Sequence, residues 1–215
     1  IDTVPDHMTG RAFLGPLDTP RRQYTFGHRD RVDEIMDMAR SIRSHEYLYI
    51  RNYMPHLGYN QPGAWIDQAE VRKDFYALAD SGKATPAQSQ YLSATRPPEE
   101  LYNCVEDPLN LNNLAYSLQH EKTVLRMRKE LHRHLVESRD LGLVPELELW
   151  RHARAMPPME WAKTGEFDAE RLLAAAELVG TDDFDAISET LEDRHPSVRY
   201  WGAVACTAAD LLPAE

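Results

Sequence analysis

Cysteine is almost absent from the sequence. Its two thiols, Cys104 and Cys206, lie far apart and in different expected elements. Two such residues exclude a disulfide framework, and no CxxC or Cys/His spacing of a zinc site occurs. Both are expected to be reduced and buried. Long apolar runs are missing too. None approaches the roughly 20 residues that carry a helix across a bilayer, so no transmembrane helix and no membrane partner is expected. The opening residues lack the basic, apolar and small-residue regions of a signal peptide. The chain begins on Ile1, as an excised or processed piece does, so that lack says nothing about export of a parent. Positive charge is also scarce. The net charge is −11, with 18 Lys+Arg against 20 Asp+Glu in residues 1–140 but 6 against 15 in residues 141–215. So acidic a tail repels phosphates, which excludes nucleic acid as its partner.

What is present suffices for a core. Hydrophobic residues make up 42% and charged residues 27%, outside the composition of disordered chains. The length allows one large domain, or a domain with an appendage. Residues 1–20 carry three prolines and two glycines without periodicity and read as an extended lead-in. Alternation predicts a strand over 22–29, with Tyr24 and Phe26 on one face, and another in which Met36, Met38, Arg40 and Ile42 share a side. Helical spacing of Ile35, Met38, Ala39 and Ile42 competes for 33–44. Residues 47–53 are rich in β-formers, and Ser44-His45-Glu46 is the expected turn before them. A loop over 54–63 leads to a helix over 64–79. Thr85-Pro86 then opens a short helix to Tyr91, and a short strand covers 100–105. A long helix is expected from Asn113, capped by Asn112 or Asn113, with Leu114, Leu118, Leu125, Leu131, Leu135 and Val136 as its buried face.

Beyond Leu143 the pattern is helical only: 145–155, 170–179, 182–191 and 197–209, broken at Pro157-Pro158 and at Lys163-Thr164-Gly165. The run Asp193-Arg194-His195-Pro196-Ser197-Val198-Arg199 resembles the D-x-x-P-x-V-R turn of a HEAT-type repeat. One helix pair cannot bury its apolar face alone, so further repeats beyond Glu215 are expected.

Several stretches in order carry a second resemblance. They are Met8-Thr9-Gly10-Arg11-Ala12-Phe13-Leu14; His28-Arg29-Asp30-Arg31-Val32-Asp33-Glu34; Arg40-Ser41-Ile42-Arg43; Tyr49-Ile50-Arg51-Asn52-Tyr53; and Glu100-Leu101-Tyr102-Asn103 with Glu106-Asp107-Pro108 and Asn112-Asn113-Leu114-Ala115. Over roughly residues 5–140 they resemble the C-terminal part of a bacterial sulfatase of the arylsulfatase or N-sulfoglucosamine sulfohydrolase kind. The chain departs from that pattern at Asn103 for Asp, Asn110 for Glu and Leu48 for Lys. The resemblance decides for strand over helix at 33–44. It implies an α+β fold: a small antiparallel sheet packed with helices over 1–140, then an all-helical tail over 141–215. It further implies a parent that is periplasmic or secreted, with calcium, a formylglycine and an N-terminal sulfatase domain as the missing partner. The formylglycine arises within C/S-x-P-x-R, and no Cys or Ser here is followed by x-Pro-x-Arg. The chain is therefore expected to hold no catalytic residue and no metal, and to be inactive alone.

What remains is the rim of a substrate pocket. His28, Arg29 and Arg31 suit a sulfated sugar or an aryl sulfate, because a guanidinium offers paired donors and keeps its charge; Asp33 or Glu34 would accept from hydroxyls. The competing reading is that Arg29, Asp30, Arg31, Asp33 and Glu34 pair among themselves on a solvated turn. Arg40, Arg43 and Arg51 read as braces against the missing core, and His132 and His134 as exposed on different helix faces. Trp65, Trp150, Trp161 and Trp201 read as packing residues. The alternative function is a protein-interaction module using the acidic HEAT-like tail.

Overall fold

The computed structural model describes residues 5, 8, 10–17 and 19–209. Part of the expected lead-in, including Thr9 of the first motif, and the end of the chain lie outside the described residues. The fold is α+β. Strands β1 (Thr25–Arg29), β2 (Ala39–Arg43), β3 (Tyr47–Asn52) and β4 (Glu99–Asn103) form one antiparallel sheet in sequential order. The strand reading of β2 holds: a sheet with period two seats Arg40 and Ile42 inward, where a helix would have turned one of them out. Register places Ile42 opposite Tyr49 and Tyr49 opposite Leu101, and all three are fully buried. Ser44 closes the β2–β3 turn, its hydroxyl accepting from Tyr47 N at 2.9 Å.

Helices α1 (Glu70–Ser81) and α2 (Pro86–Leu92) stand between β3 and β4. A capping box sets the start of α2: Gln88 N donates to Thr85 Oγ1 at 3.4 Å and Thr85 N donates to Gln88 Oε1 at 2.9 Å. The long helix α3 spans Glu121–Ser138, shorter than expected. Asn113 does not cap it. Its side chain instead seals the outer edge of β4, accepting from Leu101 N and donating to Glu99 O, each at 3.0 Å, while Leu114 N reaches Leu101 O at 2.7 Å. A residue satisfying a sheet edge cannot also start a helix eight positions early. The buried stripe of α3 is Val124, Met127, Leu131 and Leu135, whereas Leu118 is 90% and Leu125 50% exposed. That stripe covers the sheet at β2 and β3.

The tail forms α4 (Glu146–Ala153), the single turn α5 (Pro158–Trp161), α6 (Ala169–Glu177), α7 (Phe184–Leu191) and α8 (Pro196–Ala209). Pro158 thus begins a helical turn rather than only breaking one. The apolar core is continuous from the sheet through α3 into α6–α8. Trp201 is buried, its indole N–H donates to Leu143 O at 2.7 Å, and its ring meets Tyr53 edge to face at 5.9 Å. The tail therefore packs on its own chain. Trp161 is buried likewise, but Trp65 and Trp150 are 77% and 70% exposed, so packing explains only two of the four tryptophans.

Helices α7 and α8 approach closely at Gly202. A Cβ there would stand 2.3 Å from Thr190 Oγ1 and 3.2 Å from Leu191 N. Gly202→Ala should cost about 1–3 kcal/mol by overpacking, read as a lower urea midpoint at unchanged m-value. A midpoint equal to or above that of the parent chain would show that the two helices separate freely.

Candidate functional site

The β1–β2 connection begins at Asp30 and folds back on itself. Val32 and Ile35 exchange backbone hydrogen bonds of 3.0 and 2.9 Å, and Asp33 supports the tip with φ 51°. Aspartate tolerates the left-handed region better than most residues. The charged side chains of this connection do not form the self-contained lattice expected of a solvated turn. Arg29 pairs with buried Asp37 at 2.7 Å, and Asp37 also holds the buried guanidinium of Arg96. Asp30 pairs with Arg40 at 2.9 Å. Arg31 forks onto Glu146 of α4 at 2.5 and 3.0 Å, and also donates to Asp33 O. The Glu34 carboxylate accepts from Ala64 N. Asp30, Arg31 and Glu34 thus tie the turn to three other segments, while Arg29 pairs within the connection.

Arg40 is the centre of this arrangement. Its side chain is 2% exposed, yet every N–H has an acceptor: Asp140 at 2.5 and 3.1 Å, Asp30 at 2.9 Å, and the carbonyls of Arg29 and Ala39 at 3.1 and 2.9 Å. Burial alone would pull its pKa down, but the Asp140 and Asp30 carboxylates outweigh that and raise it. A Cβ on Gly142 would lie 2.0 Å from Arg40 Nη2, so the glycine makes room for the guanidinium. Arg40 and Arg51 do brace the hairpin, but against this chain's own tail. Arg51 donates to Glu177 O and Val179 O at 3.1 and 2.6 Å, satisfying carbonyls at the end of α6. Arg43 is exposed.

The four residues expected to meet substrate do not converge. His28, on β1 opposite Arg40, is exposed at the rim of a cavity of about 340 Å³ whose walls include Phe26, His134, Asp140 and Gly142. Arg31 borders a separate cavity of about 410 Å³ with Met36, Met38, Met54, Tyr200 and Trp201. Arg29 and Asp33 line neither cavity, and Arg29 and Arg31 are both engaged by carboxylates. Among the described residues neither His28 nor the Asp33 carboxylate makes a side-chain hydrogen bond, which leaves His28 the available cationic candidate of the four. His134 stacks on Phe26 with ring centroids 3.6 Å apart, and its burial pushes its pKa down; it is not the exposed residue expected.

A second polar cluster escaped the sequence reading. At the far side of α3, His132 bridges α6, with Nδ1 3.0 Å from Glu177 and Nε2 3.0 Å from Glu170. Arg128 forks onto Glu99 at 2.8 and 2.7 Å, and Glu99 also accepts from the Tyr49 hydroxyl. The seven-residue spacing of Glu170 and Glu177 marks one helix face, but nothing local says that His132 faces it. Burial would lower the His132 pKa; the hydrogen bonds to Glu177 and Glu170 prevail and raise it. A raised histidine pKa means that the folded state binds the proton more tightly. Its stabilisation is fully present below the ordinary histidine value, about 6.5, and fades as pH rises through the folded value. The stability difference between the parent chain and His132→Gln should therefore shrink from pH 5.5 to pH 8.5 in parallel urea titrations. A difference that grows with pH would contradict the bridge.

Both cysteines are free, as expected, but Cys206 is exposed rather than buried and Cys104 is half-buried. Among the described residues no helix is long and apolar enough to cross a membrane, and no cluster of three His, Cys, Asp or Glu is placed to hold a metal.

No family model matches the sequence. Over 156 residues the chain is 33% identical to the ulvan-active sulfatase of Formosa agariphila. The chain is similar to a sulfatase. The match takes in 71% of this chain and 26% of that protein, so the chain spans about a quarter of its relative's length. The crystal structure of a candidate sulfatase from Bacteroides thetaiotaomicron is 17% identical, with a TM-score of 0.40, over 64% of this chain and 22% of that one.

Proposed function

We propose that this chain is a non-catalytic, C-terminal portion of a sulfatase, which completes the fold of the intact enzyme and lines part of its substrate cleft. One observation carries the reading: 33% identity to a sulfatase over 156 residues, in a sequence without C/S-x-P-x-R. Sulfate ester hydrolysis needs a nucleophile and fixed positive charge where the leaving oxygen gains charge. In this reading the calcium and the formylglycine belong to the preceding part of the parent, and no step runs through residues of this chain. Residues 1–140 are the sulfatase subdomain and 141–215 a HEAT-like helical tail, with α7 and α8 as its repeat unit. His28, free of internal partners among the described residues, is the contact of choice for a sulfated sugar, the substrate class that the relative's name suggests.

The test has two parts. The purified chain should hydrolyse 4-nitrophenyl sulfate no faster than buffer, and turnover above buffer would overturn the reading. The reading frame upstream of Ile1 should encode C/S-x-P-x-R; its absence would refute a sulfatase parent.

A further inference from the structure

Two concavities adjoin at Pro98. One, about 330 Å³, lies over β3 and β4 beside α3, with Arg128 and His132 in its wall. The other, about 580 Å³, lies beside the segment 93–98. Both are bordered by Pro98, Tyr116 and Gly180. Gly180 has φ +81°, and a Cβ there would stand 2.6 Å from Pro98 Cγ, so the α6–α7 turn rests directly on the proline ring. That contact borders both lobes, as does Tyr116, 66% exposed.

A buried guanidinium backs the larger lobe. The Arg96 side chain is 4% exposed; its terminal nitrogens are held by Asp37 and its guanidinium lies 5.5 Å from the centre of the Tyr59 ring. Among the described residues its Nε–H has no acceptor, and the atom is itself shielded from solvent. Around it stand the Gln90 amide and the Ser93 and Thr95 hydroxyls, with Tyr59 and Tyr116 as aromatic walls. Cations in the groove walls already have internal acceptors: Arg96 is held by Asp37, Arg128 by Glu99 and His132 by Glu170 and Glu177, while the Arg51 guanidinium donates to the carbonyls of Asn52, Pro98, Glu177 and Val179. A peptide strand finds no edge here, because the outer edge of β4 is closed by Asn113 and Leu114.

We infer that this two-lobed groove binds an oligosaccharide through uncharged sugar rings. Ring faces pack on Tyr59 and Tyr116, and hydroxyls pair with Gln90, Ser93 and Thr95. Two lobes joined across Pro98 suit consecutive sugars of a chain rather than a single ring. The choice of polymer rests on the sulfatase reading above; the groove and its chemistry do not.

The experiment is calorimetric titration of the full chain with ulvan tetrasaccharides, native and chemically desulfated. Both should bind, with affinities within about threefold of each other, because the cations in the groove walls are already held by internal acceptors. Tyr116→Ala, a change at an exposed ring, and Gln90→Ala should each weaken both about tenfold, and His28→Ala should leave the desulfated ligand unaffected. The inference is overturned by failure of both sugars to bind, or by binding that needs sulfate and is lost in His28→Ala but not in Tyr116→Ala. That second outcome would leave the sulfatase reading standing. Desulfated binding at Tyr116 with no C/S-x-P-x-R upstream would sink the sulfatase reading and keep the groove.

Discussion

Replacing Arg40 by methionine should destabilise the protein by about 3–5 kcal/mol, the cost of stripping one partner from a buried ion network. The guanidinium is 2% exposed and occupies all its donors on Asp140, Asp30 and two strand carbonyls. Methionine fills similar volume but leaves Asp140, itself 16% exposed, without its cation. Asp140 also accepts from Gly142 N at 2.9 Å, so the damage falls where the sheet half passes into the tail. Arg40→Lys tests the geometry. It keeps the charge but cannot fork onto Asp140 while reaching both carbonyls, and should lose most of the same stability. Equilibrium urea unfolding followed by far-ultraviolet circular dichroism measures both. A loss under about 1 kcal/mol for Arg40→Met would mean that the network is no better than a surface pair.

Trp201→Ala should cost a similar amount, about 3–5 kcal/mol, as a large buried ring leaves a cavity that its neighbours fill only in part. The ring is 1% exposed, sits against Tyr53 and Tyr200, and hydrogen-bonds to Leu143 O. Trp201→Phe separates packing from hydrogen bonding. It retains an aromatic group and should lose about 1–3 kcal/mol, mainly for the Leu143 carbonyl left without its donor. Both variants should unfold in one transition, because the core that Trp201 joins runs unbroken from sheet to tail. Two resolved transitions in the parent chain, with only the later-unfolding one unchanged by Trp201→Ala, would show instead that the tail folds as a separate unit.

Much of the architecture was legible in the residues. Alternation around Ile42 and Tyr49, the Thr85-Pro86 cap, Gly and Pro punctuation and the helical spacing after Leu143 are local signals, and the elements formed close to where those signals lie. The choice of strand for β2 was not local; helical spacing fitted equally well, and only the resemblance to a longer pattern settled it. The long helix shows the opposite failure. Asn113 carries the chemistry of a helix cap, but that amide serves an exposed sheet edge just as well, and the edge exists only after four strands have paired.

The charged turn marks the same boundary. Its composition of alternating Arg, Asp and Glu was plain from the sequence, and so was its suitability for anions. Composition alone could not assign partners: Arg31 to Glu146, Arg40 to Asp140 and Arg96 to Asp37 join residues 59 to 115 positions apart. Coulomb attraction acts through space, and in a folded chain the carboxylate brought nearest is seldom the one nearest in sequence. The sequence by itself determined the element types, the acidity of the tail and the absence of a sulfatase nucleophile motif. Tertiary structure alone decided that Arg29 and Arg31 are committed internally, that His28 has no side-chain partner among the described residues, and that Pro98 meets Gly180 between two cavities.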